Sequence, residues 1–367
     1  MGTSNTSSAT ERSPGSAAPG LRVGGVEPSG PTHRLRIARI VQETPDARSL
    51  VLEIPEPLRE TFAYRAGQFL TFRVPWPGGT LVRCYSLSSS PVTDAEHKVT
   101  VKRVEGGRVS NWMNDVPAVG DELEVMRPAG LFCLRERSTP LVLFAGGSGI
   151  TPVISILKTA LASSPRDVRL LYANRNRESI IFRDELAELE GRYRGRLCVA
   201  HRLDDVHGFA DRETVLRHVG EAGDADFYIC GPGPFMDLVE RTLEELGVAR
   251  DQIFIERFEL SGEPAPAESA PAEAEAPEAV EIILDGQRHT VPYRPGETLL
   301  QAARRAGLDP PFSCEEGYCS CCMARLEEGE VHLRHNECLD ARQREEGWIL
   351  TCQGVPTSRC CRIRYPD

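Results

Sequence analysis

Residues 311–326 read PFSCEEGYCSCCMARL, and residues 347–354 read GWILTCQG. Cys314, Cys319 and Cys322 form a C-x4-C-x2-C loop, and Cys352 arrives after a gap of 29 residues. A structural zinc site usually repeats one short Cys or His gap in two matched halves. Here three thiols share a tight loop and the fourth comes from elsewhere, the spacing that holds two sulfide-bridged irons as a [2Fe–2S] cluster. Gly317 lets the loop take a conformation in which backbone N–H groups turn inward toward sulfide. Zinc and plain structural cysteines are the alternatives left by the residues themselves. Cys321, beside a ligand, reads as a packed thiol or a competing one. Cys338, Cys360 and Cys361 have no ligand role, and His332 and His335 read as surface positions.

Working outward, eight of the twelve cysteines lie between 314 and 361, and four are thinly spread at 84, 133, 198 and 230. That clustering points to metal chemistry in a reducing, cytoplasmic setting rather than to a secreted disulfide scaffold. The first residues carry no apolar signal region and the chain no membrane-spanning run, so no membrane partner is expected. With 43 basic against 54 acidic residues and a net charge of -11, the chain lacks the positive supply a general nucleic-acid binder needs. Its 367 residues suit two or three domains.

The expected organisation is multidomain. Residues 1–31, rich in Gly, Ser, Pro and Thr, read as a disordered tail. Residues 32–137 hold short strands (LRIARIVQET, SLVLEI, QFLTFRV, VRCYSLS, KVTVKRV, ELEVMRP) between turn-forming clusters, which predicts an antiparallel β-barrel. Residues 138–259 alternate buried-strand runs such as LVLFAGG with helical spacing such as ITPVISILKTALAS, which predicts a parallel α/β sheet. Residues 260–279, LSGEPAPAESAPAEAEAPEA, read as an acidic Pro/Ala/Glu linker. Residues 280–367 open with a hairpin, EIILDGQRHTVPY, and a helix, GETLLQAARRAG, before the cysteines.

Several stretches resemble known families. The last ninety residues are similar to plant-type ferredoxin domains of α+β, β-grasp type, which implies Cys314, Cys319, Cys322 and Cys352 as the cluster ligands. LVRCYSLSSS (81–90) followed by EGGRVSNWM (105–113) resembles the flavin signature of the ferredoxin–NADP reductase superfamily. The likeness implies FAD held by Arg83, Tyr85, Ser86, Leu87, Lys102 and the Gly107, Arg108, Val109, Ser110 turn, with Ser86 near the hydride-accepting position. Physically, Arg83 neutralises phosphate and the turn at a helix start offers N–H groups to the same anion.

GGSGITP (146–152) follows a strand and leads into a helix, so Gly147, Gly149, Thr151 and Pro152 read as a nucleotide turn; plain turn glycines or a flavin pyrophosphate site are the alternatives. In the same superfamily a segment like CGPGPFM (230–236) closes over the nicotinamide. That implies Cys230, Gly231, Pro232 and Met236, with Cys230 set for hydride geometry; an inert buried thiol is the bland reading. Asn174 and Arg175 fall where an adenosine ribose sits, and NADH is preferred to NADPH. IERFEL (255–260) implies that Glu256 and Phe258 return to the flavin, Phe258 stacking on its ring or serving as core.

The order flavin, nicotinamide, ferredoxin resembles reductase components of bacterial multicomponent oxygenases, particularly the ketosteroid-hydroxylase and phenylacetyl-CoA types. It implies an oxidoreductase passing electrons from NADH to FAD to [2Fe–2S] to a terminal Rieske-type oxygenase, monomeric when free. A diiron oxygenase, another redox acceptor, or a redox-sensing flavoprotein without turnover are the competing readings. The acidic linker suggests that the ferredoxin part swings between flavin and client.

Overall fold

The computed structural model describes residues 32–220, 224–258, 276–312, 314–315, 317, 319–336, 338–339 and 341–366. The expected tail, residues 1–31, and residues 260–275 of the expected linker lie outside the described residues.

The first sheet contains β1 (Thr32–Thr44), β2 (Ala47–Leu52), β3 (Phe69–Trp76), β4 (Gly79–Ser86), β5 (His97–Lys102) and β6 (Glu122–Met126), in the order β4-β3-β6-β1-β2-β5. Every pairing is antiparallel. A bridge between Leu87 and Val99 joins the end of β4 to β5 and closes the sheet on itself. Alternating side chains fill the inside: Leu35, Ile37, Leu50, Leu70, Phe72 and Val99 are wholly buried. Helix α1 (Arg108–Asp115) follows β5 and is fastened to it by Asn114 Nδ2, which donates to Val101 O at 3.1 Å.

The second sheet is fully parallel: β7 (Leu141–Gly146), β8 (Val168–Asn174), β9 (Leu197–Leu203), β10 (Asp226–Gly231) and β11 (Ile253–Arg257) run β11-β10-β7-β8-β9. The helices between them are α2 (Ile150–Ser163), α3 (Arg183–Arg192), α4 (Asp204–His207), α5 (Arg212–Val219) and α6 (Gly233–Glu245). All six residues of β7 are buried, as a central strand covered on both faces requires. The order reverses between β7 and β10, and the crevice beyond the carboxyl ends of such strands is where ligands bind in open α/β sheets.

The third sheet is mixed: β12 (Ala279–Leu284), β13 (Gln287–Pro292), β14 (Met323–Leu333), β15 (Trp348–Leu350) and β16 (Gly354–Arg364), in the order β13-β12-β16-β14-β15. The hairpin between β12 and β13 turns on Asp285 and Gly286, both left-handed at φ 50° and 70°, the pair that a type I′ turn demands. Helix α7 (Leu299–Arg305) packs on this sheet; Thr298 and Gln301 cap each other's backbone N–H, and α8 (Ala341–Glu345) precedes β15. Among the described residues, no helix is long and apolar enough to cross a membrane.

Two local differences from the sequence expectation have clear causes. The stretch IIFRDELAELEGRY (180–193) reads as one helix from its spacing, but the helix starts at Arg183, because Ile180, Ile181 and Phe182 are pulled into the core and Phe182 turns left-handed at φ 61°. Strand β9 and helix α5 were not expected at all.

Candidate flavin, nucleotide and cluster sites

The three sheets meet around one cavity of about 970 Å³. From the barrel, Arg83, Tyr85 and Ser86 of β4, Lys102 at the end of β5, and Gly107, Arg108, Val109 and Ser110 at the start of α1 line it. From the parallel sheet come Thr151, Glu256 and Phe258, the last 37 % exposed and so a cavity-wall residue rather than core. Cys319 and Trp348 of the third domain complete the wall.

Each side chain is placed by its element. The period of a strand sends Arg83 and Tyr85 to one face of β4 and Cys84 to the other. Burial pushes the Tyr85 phenol well above its usual range, so it stays neutral. Its ring centre lies 5.8 Å from that of Phe72. The first turn of α1 leaves N–H groups without intrahelical partners. A Cβ on Gly107 would fall 2.5 Å from Ser110 Oγ, so the turn has no room for a side chain. Arg83, Lys102 and these N–H groups fit a flavin carrying phosphates. Burial lowers the Lys102 pKa while Asp46 raises it, with the net shift downward.

Glu256 is the distinctive acid of the cavity. Burial lifts its pKa to about 8, and Ser86 Oγ donates to its Oε2 at 3.3 Å. A neutral carboxyl held beside a hydroxyl is a proton store at physiological pH.

At the carboxyl ends of β7 and β10 the backbones almost touch. A Cβ on Gly149 would lie 2.1 Å from Cys230 O, and one on Gly231 would lie 2.9 Å from Gly146 N. Gly147 is left-handed at φ 52°, with its open side toward Lys102 Nζ. The turn thus brings a helix start to the switch point, which fits a dinucleotide. Gly149→Ala is expected to destabilise the protein by about 1–3 kcal/mol through overpacking, read as a lowered denaturation midpoint with unchanged m-value. An unshifted midpoint would mean that the Cys230 carbonyl yields freely. Cys230 is wholly buried, paired in register with Glu256, and burial raises its thiol pKa far up, so it stays a neutral thiol.

Not every expected contact reaches the cavity. Leu87 is wholly buried where β4 meets β5, and Met236 faces the apolar core beneath α6 with Val239 and Leu243. Each sits on the inward side of its element, away from the cavity wall. Asn174 is buried at the end of β8, and Pro152 lies inside the buried first turn of α2. Pro232 is the N-cap of α6, packed toward Gly146. Arg175 is paired with Asp46 of the barrel at 2.5 Å instead of standing free for a 2′-phosphate.

In the cluster loop Cys319 lies against Cys314 and Cys321, and Cys322 lies against Cys352. Two irons that each need two terminal thiolates fit Cys314 with Cys319 and Cys322 with Cys352. Glu315, Gly317 and Ser320 are left-handed at φ 56°, 81° and 50°, and Cys314 N donates to Cys319 Sγ at 3.4 Å. A Cβ on Gly317 would stand 3.0 Å from His335 O, so the bend takes only glycine. Gln353 Nε2 donates to Glu315 O at 2.8 Å and lies 3.7 Å from Cys352 Sγ, tying the fourth ligand to the loop. The residues present fit a [2Fe–2S] cluster. Cys321 is buried against Cys319, Cys361 is buried core, Cys338 lines the cavity and Cys360 is exposed.

Comparison with known proteins agrees with this geometry. Residues 34–133 match an oxidoreductase FAD-binding domain, 143–241 an oxidoreductase NAD-binding domain and 282–357 a 2Fe-2S iron-sulfur cluster binding domain. The ferredoxin reductase component of 3-ketosteroid-9-alpha-monooxygenase from Rhodococcus rhodochrous is 42% identical over 90% of this chain and 96% of its own length. The chain belongs to the ferredoxin reductase components of monooxygenase systems.

The glycine betaine monooxygenase reductase of Pseudomonas aeruginosa is 31% identical over 88% of this chain and 93% of its own length. The solved structure of phthalate dioxygenase reductase, described as modular for electron transfer from pyridine nucleotides to [2Fe–2S], covers 91% of this chain and 98% of its own, at 28% identity and a TM-score of 0.57. The reductase therefore carries electrons from NAD(H) through FAD to a [2Fe–2S] cluster.

Sequence reasoning passed over Cys84, Phe69 and Ser148, which also line the cavity. For Cys84 the strand alternation that sets it on the opposite face from Arg83 and Tyr85 argued against the cavity, which the end of β4 reaches with both faces.

Proposed function

We propose that this reductase serves a terminal Rieske-type oxygenase and draws its electrons from NADH. FAD bound in the cavity would supply the change from two-electron hydride chemistry to one-electron transfer that a [2Fe–2S] cluster needs. Arg83, Lys102 and the first turn of α1 would hold the flavin phosphates, and Tyr85 and Phe258 would wall its ring. The Gly147–Thr151 turn and the Cys230–Pro232 segment seat the dinucleotide, with Cys230 setting the approach of its nicotinamide. Glu256, accepting from Ser86 at Oε2, keeps a proton on its other carboxyl oxygen within the cavity and lends it where charge builds up.

The observation that carries this reading is the meeting of β4, Glu256 and Cys319 on one cavity, which brings the hydride-accepting and electron-leaving sides within one wall. Engagement of Arg175 by Asp46 supports NADH, since it occupies the cation best placed for a 2′-phosphate. The oxygenase client is supported by the monooxygenase systems to which the relatives belong. A monomer in the cytoplasm, with four cysteines on the cluster and none of the twelve in a disulfide, belongs to the same reading.

The test pairs the anaerobically prepared holoprotein with separately purified Rieske and diiron oxygenases, supplying NADH or NADPH. NADH-driven reduction of the Rieske centre, with kcat/KM for NADH at least about tenfold above that for NADPH, is expected, a difference of about 1.4 kcal/mol. Faster transfer to the diiron protein, or an NADPH preference, overturns the corresponding half.

A further inference from the structure

One side chain joins the barrel to the cluster loop. Cys84 lies on β4 between Arg83 and Tyr85 and on the opposite face from both. Cys84 packs against the apolar cluster that contains Cys319, a cluster ligand. On the barrel side, Thr71 Oγ1 lies 3.4 Å from Cys84 Sγ, and Thr71 is wholly buried on the neighbouring strand. With the hydroxyl donating to Cys84, the S–H is free to point at Cys319.

The contact is part of an interface. Phe69, Val82 and Ala129 pack with Cys314, Cys319 and Cys321 in one apolar cluster. Around it, Arg250 Nη1 meets Glu346 Oε1 at 3.2 Å, and Arg127 Nη2 lies 3.9 Å from Asp309 Oδ1. Both ion pairs are exposed and are therefore weak latches rather than permanent ties.

We propose that the Cys84 thiol donates a hydrogen bond across the domain boundary to the Cys319 ligand sulfur, so that the cluster is easier to reduce when its domain is seated on the barrel than when it is away. A hydrogen bond to a ligating thiolate disperses its charge and favours the more negative, reduced cluster. One electron arrives and the thiol keeps its proton throughout. Seated, the cluster accepts readily from the flavin side; released, it loses the bond and becomes a stronger donor for the client. Cys84 is a positioning residue in this scheme, acting through Cys319. The inference rests on the electron route given above.

The test is an anaerobic potentiometric titration of the full-length holoprotein, following the reduced cluster by electron paramagnetic resonance. Cys84→Ala is expected to shift the one-electron balance against cluster reduction by about threefold to tenfold, the upper figure being about 59 mV. Cys84→Ser, which keeps a donor, is expected to recover most of the shift. Reversing both latches, Arg127→Glu with Arg250→Glu, is expected to lower the potential in the same direction, and adding Cys84→Ala to that background is expected to change nothing further. An unmoved potential in Cys84→Ala with full iron content overturns the proposal. So does an equal shift in both backgrounds. Wild-type chromophores that NADH fails to reduce would instead remove the underlying electron route.

Discussion

Cys352→Ser is expected to separate the two halves of the electron path: flavin reduction by NADH continues, and transfer to a one-electron protein acceptor falls about 100-fold or more. Cys352 lies in the turn joining β15 to β16, outside the loop that carries the other three ligands. Removing its thiolate leaves Cys322 without the partner needed at that end of the cluster. Loss of outer-shell partners alone costs 10–100-fold in typical metal sites, so loss of a ligand sets the larger figure. Iron and acid-labile sulfide, measured with the visible spectrum, give the direct readout; stopped-flow bleaching of the flavin shows that the first half still works. Retention of two irons with normal transfer would show that Cys352 is not the fourth ligand. The barrel and parallel-sheet cores are built without this segment, so their folding is expected to survive.

The second large effect concerns Glu256. Its pKa of about 8, against an ordinary 4.5, makes it neutral in the folded protein across the window in which an unfolded chain would have it ionised. Between those values the native state binds the extra proton, so stability from this group falls as pH rises and is lowest above about 8. Activity is expected to follow the proton: flavin turnover holds up to neutral pH and declines through about pH 8 as the Ser86–Glu256 pair empties. Glu256→Ala removes the store and is expected to lower turnover by about 100-fold, within the range of general acid–base contributions. Glu256→Gln preserves the hydrogen bond with Ser86 and is expected to lose the alkaline limb while becoming relatively more stable at high pH. The pH profile of kcat, measured beside thermal denaturation, checks both. An alkaline limb unchanged in Glu256→Gln would assign it to another group.

Much of this was legible in the chain because the chemistry is carried by local patterns. The cysteine spacing, the R-x-Y-S strand and the glycine turns each state a backbone requirement within ten residues. Strands such as LVLFAG declare themselves because a buried parallel strand is apolar on both faces. Strand β9, LCVAHRL, does not: it is an edge strand, mostly half-exposed or exposed, so its alternation is diluted. Helix α5 is short, and its apolar face rests on the single contiguous pattern of Val215 and Val219.

The site was legible residue by residue only where direction follows from periodicity. Arg83, Tyr85 and Ser86 were placed correctly at the cavity because they lead a strand end. Leu87 and Met236 lie one step or one helical face away from it, a distinction that motif spacing does not contain. The raised pKa of Glu256 was invisible for a different reason: it arises from burial in the folded cavity beside Ser86, which is far from it in the chain.

The apolar seat formed by Phe69, Val82 and Ala129 also matters when no client is present. On the seating proposed above, a loaded centre pressed against that wall would offer dioxygen little approach, and stray superoxide production would fall in the moments of separation. How tightly the two exposed latches hold therefore sets how many reducing equivalents the cell wastes while the oxygenase waits for its organic substrate.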